Sequence, residues 1–381
     1  MRILVLGCKD YPAFVTPWVH SGGMEVYTER MVRSLTDRAR FTLYTAGGHS
    51  DEAGRVVALG AARGLRSQPL SLMLRSWRAV RGVAREFDLL HPQTPLAGWA
   101  ARMAWRRWGI PYVVTVHVFG SDPRHAGGAL SAWAYSQVEK LVFSGAAAII
   151  PTGRRLAAAL EKRYKGIGPK ISVVTAAGEG VRHAAPRANT RARFGISEEN
   201  QLLLFLGRVV EENGIKDLLA AMSLLRQNRP NLQLLIAGTG NRERDVTTRI
   251  RSEGLGEAVQ MIGPVRGQDK LDLLAAADVM VRSSLHEVFP EAYLEALSVG
   301  TPVAATPAGD TPDLAEQSGA IELLPFGDPR GQAAVLAALL DDVDRRVRMR
   351  ERALDYSRRV RWEQQRELYW NVLERSAGGS A

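Results

Sequence analysis

The chain has 381 residues, of which 46% are hydrophobic and 24% charged, a composition typical of a globular protein large enough for two domains. Its single cysteine, Cys8, excludes an internal disulfide and favours a reducing cytoplasm. The sequence has no apolar run of the ~18 residues that a membrane span needs and no secretory hydrophobic region near its start, so we expect a cytoplasmic protein without a spanning segment.

Positive charge is concentrated in the first half of the chain. The net charge is +10, and residues 1–183 carry 25 Lys and Arg against 12 Asp and Glu, whereas the remainder carries 25 against 28. The first half therefore has a net charge of +13 and the second half of −3. This asymmetry favours an anionic partner for the first half.

In the first half, apolar runs typical of buried strands alternate with helical patterns. Strands are predicted at residues 2–7, 41–45, 89–91, 112–116 and 146–151. A helix is predicted to begin at Gly22-Gly23, directly after the first strand and loop. Paired glycines at such a helix start let a diphosphate approach the backbone closely.

The second half repeats this alternation, with strands predicted at residues 201–206, 232–238 and 259–265. A Pro-, Ala- and Arg-rich stretch without periodicity separates the halves. The pattern predicts an α/β fold with two doubly wound, Rossmann-like domains facing a cleft. We place an N-terminal domain at 1–183, a C-terminal domain at 184–360, and a helix with a flexible tail at 361–381.

Residues 283–313, SSLHEVFPEAYLEALSVGTPVAATPAGDTPD, are the most informative stretch. An apolar run ends where the stretch begins, a helix is predicted from Pro290, and Gly300 ends that helix before the next strand. The helix N-terminus would then face the carboxyl edge of the sheet, where free N–H groups favour phosphate. We expect the N–H groups of Phe289 and Glu291 to contribute, whereas Pro290 donates none.

Two glutamates of this stretch, Glu287 and Glu295, lie about two helical turns apart. Ionised carboxylates only accept hydrogen bonds, so their natural partners are the hydroxyls of a bound polyol, such as a sugar and a ribose. We assign Glu287 to the donor-sugar hydroxyls and Glu295 to the ribose diol. In isolation, such a pair is more simply explained as a helix-capping charge and a solvated side chain.

The whole stretch resembles the donor-site signature of the group 1 family of nucleotide-sugar glycosyltransferases, which includes glycogen synthases and mannosyltransferases. The resemblance rests on a glutamate before Phe-Pro, a second glutamate before Ala, and a small-Gly-Thr-Pro-Val turn. Val288 stands where the family more often has glycine, and Asp313 where it has glutamate. The resemblance implies the GT-B fold, with an acceptor-binding domain at 1–183 and a donor-binding domain at 184–360. It also implies a retaining, metal-independent transfer of a hexose from a nucleoside diphosphate sugar, without a cofactor beyond that co-substrate.

In the first domain, the resemblance implies that Gly22-Gly23 is the family's glycine loop and that His117 faces the donor sugar and the leaving phosphate. His117 lies in VTVHVFGSD, which is similar to the family's Val-Thr-x-His-Gly element. A lone histidine at a strand end is otherwise more often structural. The resemblance also implies that the last helix crosses back onto the first domain.

In the second domain, the resemblance assigns the diphosphate to Arg208 and to a lysine five residues later. That position holds Asn213 here, so one of two fixed cations is missing. Lys216, one turn further along, is the candidate substitute. Gly263 and Val265 belong to the turn that borders the base in the family.

The alternative class is a non-catalytic protein that binds a nucleotide sugar or a nucleic acid. No nucleic-acid motif or regular basic-aromatic pattern supports the latter, so no nucleic-acid partner is expected. The turn at residues 238–240 lacks the third glycine of a dinucleotide fingerprint. Asp342 and Asp344 match an Asp-x-Asp metal motif, but they fall inside a charged amphipathic helical pattern, so no metal site is expected.

Four arginines, Arg75, Arg78, Arg81 and Arg85, recur at intervals of three, three and four within a helix predicted over residues 72–87. They therefore form one stripe. We interpret this stripe as a patch for an anionic acceptor, such as a lipid-linked one, with peripheral binding to the inner face of a membrane. The alternative is a solvated face in an arginine-rich chain with a soluble acceptor, such as a small natural product.

Overall fold

The computed structural model describes residues 1–8, 11, 23–45, 55–59, 68–119, 121, 128–175, 177–285, 287 and 291–378. The chain forms two compact units, Met1–Ala176 with Glu363–Ala381, and Ala177–Trp362. From Glu363 onward the last helix therefore belongs to the first unit. Within the described ranges, no helix is long and apolar enough to cross a membrane.

Parallel strands form the centre of the first unit. They are β1 (Arg2–Cys8), β2 (Arg40–Thr45), β3 (Val56–Ala58), β4 (Leu89–Pro92), β5 (Val113–Val116) and β6 (Ala148–Pro151). In the described part of the chain, hydrogen bonds join four of them in the order β3-β2-β1-β4 and pair β5 with β6, while a parallel bridge between Leu90 and Tyr112 connects the two groups. β1 beyond Arg2, β4, β5 and β6 are fully buried and rich in Val, Ile and Leu, as the sequence predicts, whereas β2 alternates between buried and partly exposed residues.

Helices follow these strands and cover the sheet. They are α1 (Gly23–Ser34), α2 (Gln68–Val83), α3 (Pro95–Trp108), α4 (Ala129–Gly145), α5 (Arg154–Arg163) and the terminal α14 (Trp362–Gly378), with 3-10 turns at Ala84–Glu86 and Gly168–Lys170. The prediction of a helix over residues 72–87 is wrong at the C-terminal end. The chain tightens after Val83, where the Phe87 N–H bonds to Ala84 O, so Arg85 lies in a 3-10 turn.

The second unit is built on one parallel sheet. Its strands are β7 (Gln201–Leu206), β8 (Leu232–Ala237), β9 (Val259–Gly263), β10 (Val279–Arg282), β11 (Val303–Ala305) and β12 (Ile321–Leu323). The described residues pair in the order β12-β11-β10-β7-β8-β9. The chain runs outward from β7 on one side and from β10 on the other, so the strand order reverses between these two neighbours. Open α/β sheets bind ligands at the carboxyl edge of such a switch point.

The helices of the second unit pack on both sides of this sheet. They are α6 (Arg187–Arg193), α7 (Ile215–Arg226), α8 (Glu243–Ser252), α9 (Gly267–Ala276), α10 (Glu291–Ser298), α11 (Thr311–Ser318), α12 (Pro329–Asp341) and α13 (Val343–Arg359), with a 3-10 turn at Glu211–Asn213. The single helix expected around Asp342 is interrupted. Asp342 caps α13 instead, since its Oδ1 accepts the Arg345 N–H at 2.7 Å.

Candidate functional site

At the switch point of the second unit, two loops meet above the carboxyl ends of β7 and β10. The loop after β7 begins with Gly207-Arg208 and closes when Asn213 Nδ2 donates to Arg208 O at 2.7 Å. Gly214 then packs directly on the segment after β10. Its φ of 68° and a distance of 1.7 Å from an added Cβ to Ser283 O allow no side chain there. The loop that carries Arg208 and Asn213 is thus fixed against the loop that leads to Glu287.

Arg282, the last residue of β10, lies under both loops and was not predicted as a site residue. Its side chain donates to Leu206 O (2.8 Å), Asn213 Oδ1 (3.0 Å), Ser284 Oγ (3.2 Å) and Glu287 Oε2 (3.3 Å). The residue is only 6% exposed. Gly207 is required above it, because an added Cβ would lie 2.5 Å from Arg282 Nη1. A buried guanidinium of this kind needs its polar partners, so it holds the surrounding groups in place.

Glu287 is held from two sides. Its Oε2 accepts from Arg282 and, at 3.4 Å, from the hydroxyl of Tyr293 in α10. Burial raises the pKa of Tyr293, so this hydroxyl stays protonated and donates. The Glu287 side chain is 13% exposed. The carboxylate is therefore oriented before any ligand binds.

Glu295 also has a partner that the sequence did not indicate. Its Oε1 forms an ion pair with Lys270 of α9, and both side chains are about three-quarters buried. Glu291 is the first residue of α10, at the helix end that attracts anions. The assignments of Glu287, Glu291 and Glu295 to donor groups stay predictions.

The two exposed cations of this region differ in their surroundings. Arg208 is exposed, and among the described residues no carboxylate pairs with its guanidinium. Lys216 Nζ, by contrast, lies 3.1 Å from Glu211 Oε1, and Glu211 also pairs with Arg242. These contacts lower the pKa of Glu211, first through the hydrogen bond from Lys216. The structure thus gives Lys216 a carboxylate partner on the surface.

The remaining predicted donor residues lie at element ends. Gly263 ends β9 with a φ of 73°, and its carbonyl accepts the Gly238 N–H at 2.8 Å. Val265 follows and is partly exposed. Gly23 is the first residue of α1 in the first unit. Gly22, Phe289 and Pro290 lie outside the described residues.

In the first unit, His117 follows β5 directly. It is 6% exposed, and neither ring nitrogen has a hydrogen-bond partner within the described ranges. Its ring meets that of Tyr27 edge to face, with centroids 5.2 Å apart. Burial lowers the pKa of His117 to about 3, so the imidazole is neutral at physiological pH.

A buried polar network lies beside His117. His91 Nε2 is 2.9 Å from Thr115 Oγ1, 3.0 Å from Tyr369 Oη and 3.2 Å from Gln93 Nε2. Thr115 and Tyr369 are themselves 2.8 Å apart. Burial, and secondarily the neighbouring His117 imidazole, lowers the pKa of His91 to about 3. The network is therefore uncharged, and Tyr369 brings α14 into it.

The basic stripe is less regular than predicted. Arg78 and Arg81 are exposed on α2. Arg75 is partly buried and donates to Leu59 O at 3.4 Å. Arg85 lies beyond α2, with its guanidinium 5.9 Å from the centroid of a Trp108 ring. Only part of the expected stripe therefore lies on one helix face.

Sequence reasoning missed Arg282, Lys270 and the network around His91. One signal was present for Arg282, since a charged residue interrupts the apolar run of β10 before the polar residues begin. His91 likewise ends a predicted strand. Tyr369 and Lys270 carry no such signal, because only the packed fold shows which side chains they meet.

Two protein families match this chain, one for each half. The family described as Glycosyl transferases group 1 matches residues 186–355, and the Glycosyl transferase 4-like domain matches residues 22–177. The chain is a glycosyltransferase whose second half matches the group 1 family. This glycosyltransferase is 28% identical to a D-inositol 3-phosphate glycosyltransferase of Thermobispora bispora, over 93% of the chain and 91% of that relative.

Solved structures share the fold of this glycosyltransferase at low sequence identity. A sucrose-phosphate synthase from Thermosynechococcus elongatus superposes with a TM-score of 0.82 and 19% identity, covering all of both chains. Anabaena HepE in complex with UDP and glucose superposes with a TM-score of 0.79 and 19% identity, covering 98% of this chain and 99% of HepE. The GT-B fold class expected from the resemblance is confirmed.

Proposed function

We propose that this glycosyltransferase moves a hexose from a nucleoside diphosphate sugar to a hydroxyl of an anionic acceptor, with retention of anomeric configuration and without a metal ion. The observation that carries the proposal is the charged cluster at the switch point of the second unit. There, Arg282 and Tyr293 orient Glu287 and Asn213 closes the loop that carries Arg208. A UDP sugar is the first donor to test, because the structurally similar HepE was solved with UDP and glucose.

The chemistry requires two charges to be stabilised at once. The sugar carbon becomes cation-like, and the leaving diphosphate gains negative charge. Arg208 supplies an exposed positive charge, and the N-terminus of α10 supplies the positive end of a helix dipole. In this proposal the leaving phosphate takes the acceptor proton, which gives retention on the front face of the sugar without an enzymatic base.

A phosphorylated polyol is the first acceptor class to test, since the Thermobispora relative is named for D-inositol 3-phosphate. The net charge of +13 over residues 1–183 favours an acceptor that carries negative charge. An anionic lipid-linked acceptor would also be attracted by this positive charge, whereas a small neutral natural product would not.

The test is a panel of nucleoside diphosphate sugars, read by thermal shift and by slow hydrolysis of the donor. We expect one donor to raise Tm and to release its sugar, at an unchanged rate in a strong chelator. A protein that only binds the nucleotide sugar would raise Tm without releasing sugar. No response to any donor would contradict the proposal.

We also propose that the first unit binds anionic membrane surfaces peripherally. Arg78 and Arg81 are exposed on α2, and Leu74 on the same helix is 43% exposed. A basic residue near an anionic leaflet contributes about 1 kcal/mol of binding free energy. These charges could therefore hold the unit at lipid without a spanning helix.

Vesicle cosedimentation at low and moderate salt tests the membrane proposal. We expect wild type to bind phosphatidylserine vesicles at low salt and the Arg75/Arg78/Arg81/Arg85→Ser variant to bind far less. A matched control changes four exposed arginines of the second unit, Arg244, Arg251, Arg348 and Arg358, to Ser. Equal losses in both variants would mean that only total charge matters, and this would contradict a specific patch.

A further inference from the structure

The position of the missing lysine is in contact with a buried cation. Asn213 stands where the family has its second phosphate-binding cation, and its Oδ1 accepts from Arg282 Nη2 at 3.0 Å. Lys216, the candidate substitute, pairs with Glu211 in this structure, and its side chain is half exposed. The positive charge nearest to the Asn213 side chain is therefore the guanidinium of Arg282.

The same guanidinium also reaches Glu287, which lies on a different loop. Arg282 Nη2 is 3.3 Å from Glu287 Oε2, and the two side chains are 8% and 13% exposed. An anionic diphosphate would be repelled by a nearby carboxylate, and this repulsion is strong where water is excluded. A fixed cation beside Glu287 offsets its negative charge and fixes the orientation of the carboxylate.

A second buried arginine in the same unit has hydrogen-bond partners typical of a structural role. Arg191, at the opposite edge of the sheet, is 0% exposed. It donates to the carbonyl oxygens of Ala276, Ser197, Glu198 and Asn200 and pairs with Asp278. Its partners are mostly main-chain carbonyls at element ends. Arg282 instead contacts the side chains of Asn213 and Glu287, two residues assigned to the donor site.

We propose that Arg282 supplies the fixed positive charge that the family's lysine supplies at position 213, and that it positions Glu287 for the donor sugar. The inference rests on the proposed function. In this arrangement the cation has moved from the loop after β7 to the end of β10. Asn213 connects it to the Arg208 loop by accepting from Arg282 and donating to Arg208 O.

A charge-relocation experiment tests this inference. Arg282→Met removes the cation at similar length, and Asn213→Lys restores one at the family's position. We expect R282M to lower kcat/KM for the donor by about 100-fold, mostly through kcat. The double variant R282M/N213K should recover at least tenfold of that loss. In wild type, N213K alone should lower Tm, because it places a second cation against Arg282.

The control is Arg191→Met, which removes a buried arginine far from the site. It should lower Tm while donor kcat/KM of the folded protein changes less than threefold, and N213K should not improve it. Two kinetic results would overturn the inference: full activity in R282M, or a folded R282M whose activity N213K fails to restore.

Melting temperatures distinguish a failure of the Arg282 inference from a failure of the proposed function. The Tm of the four proteins in the R282M and N213K cycle is measured without a donor, and N213K should cost less Tm in R282M than in wild type, because the repulsion from Arg282 is then absent. If wild type neither binds nor hydrolyses any donor, the proposed function fails. The Tm values of the four proteins still show whether a positive charge at position 213 interacts with the Arg282 guanidinium. Equal Tm losses from N213K in both backgrounds would overturn the inference.

Discussion

The two units place polar side chains at the same kind of position, the carboxyl edge of a parallel sheet, yet the two sets differ in charge. In the first unit, His91, Thr115 and Tyr369 hydrogen-bond to one another, and both His91 and His117 are kept neutral by burial. In the second unit, Arg282 and Glu287 carry opposite charges, and Arg208 is exposed. The polar cluster of the first unit is thus buried and uncharged, whereas that of the second unit carries both signs of charge, which supports the proposal that the second unit binds the diphosphate.

The largest expected effect comes from removing the exposed cation of the charged region. Arg208→Ala should reduce transition-state stabilisation by about 2–4 kcal/mol, or roughly 30- to 1000-fold in kcat/KM. Steady-state kinetics with the best donor measure this loss. Arg226→Ala, on α7 of the same unit, is a suitable control and should stay within threefold of wild type. A loss below threefold in R208A would place the diphosphate elsewhere.

Variants of Glu287 and Glu295 distinguish a loss of turnover from a loss of donor binding. Glu287→Ala should lower kcat by about tenfold or more while leaving affinity for the free nucleoside diphosphate unchanged. Glu295→Ala should weaken the donor and the free nucleotide alike, by about tenfold. Isothermal titration together with steady-state kinetics distinguishes the two patterns. If both variants keep wild-type kinetics and affinity, the donor-site assignment is wrong.

The neutral region predicts a pH effect on stability. Burial lowers the pKa of His91 and His117 to about 3, whereas an unfolded histidine titrates near pH ~6.5. Between these values the unfolded chain binds more protons, so stability falls as pH falls, by up to about 1.4 kcal/mol per pH unit for each histidine. Above the unfolded pKa neither contributes.

Urea unfolding at pH 7, 6 and 5 measures this slope. The His117→Gln variant should lose less stability on acidification than wild type, and the difference between the two proteins removes the contribution of carboxylates. Identical slopes would show that His117 is not buried as a neutral ring, and the contrast between the two units would lose one of its supports.

Much of the second unit could be predicted from local pattern. The predicted strand at 201–206 is confirmed as β7, and Gly300 ends α10 with a φ of 80° as expected of a helix-terminal glycine. The apolar run before Ser283 correctly indicated β10. These features depend on residues close together in sequence, which is why pattern and turn chemistry were sufficient.

The charged centre of the site could not be predicted in the same way. Arg282 is buried because Leu206, Asn213 and Glu287 converge on it from three segments, and no local spacing encodes that convergence. Tyr369 likewise meets Thr115, which is 254 residues away in sequence. The expectation that Arg85 continues a helix was wrong, because a 3-10 turn follows α2 at Ala84–Glu86. Hydrophobic periodicity does not indicate whether the end of a helix is an α-helical or a 3-10 turn.

The most direct test of the central claim, that the second unit holds a nucleoside diphosphate through protein charges, is calorimetric titration of the whole chain with UDP, GDP and ADP in excess EDTA. We predict that UDP binds one to one, with a Kd unchanged by the chelator and raised at least tenfold by Arg208→Ala. Absence of binding by all three nucleotides, or binding of UDP that disappears in EDTA and returns with a divalent cation, would contradict the account.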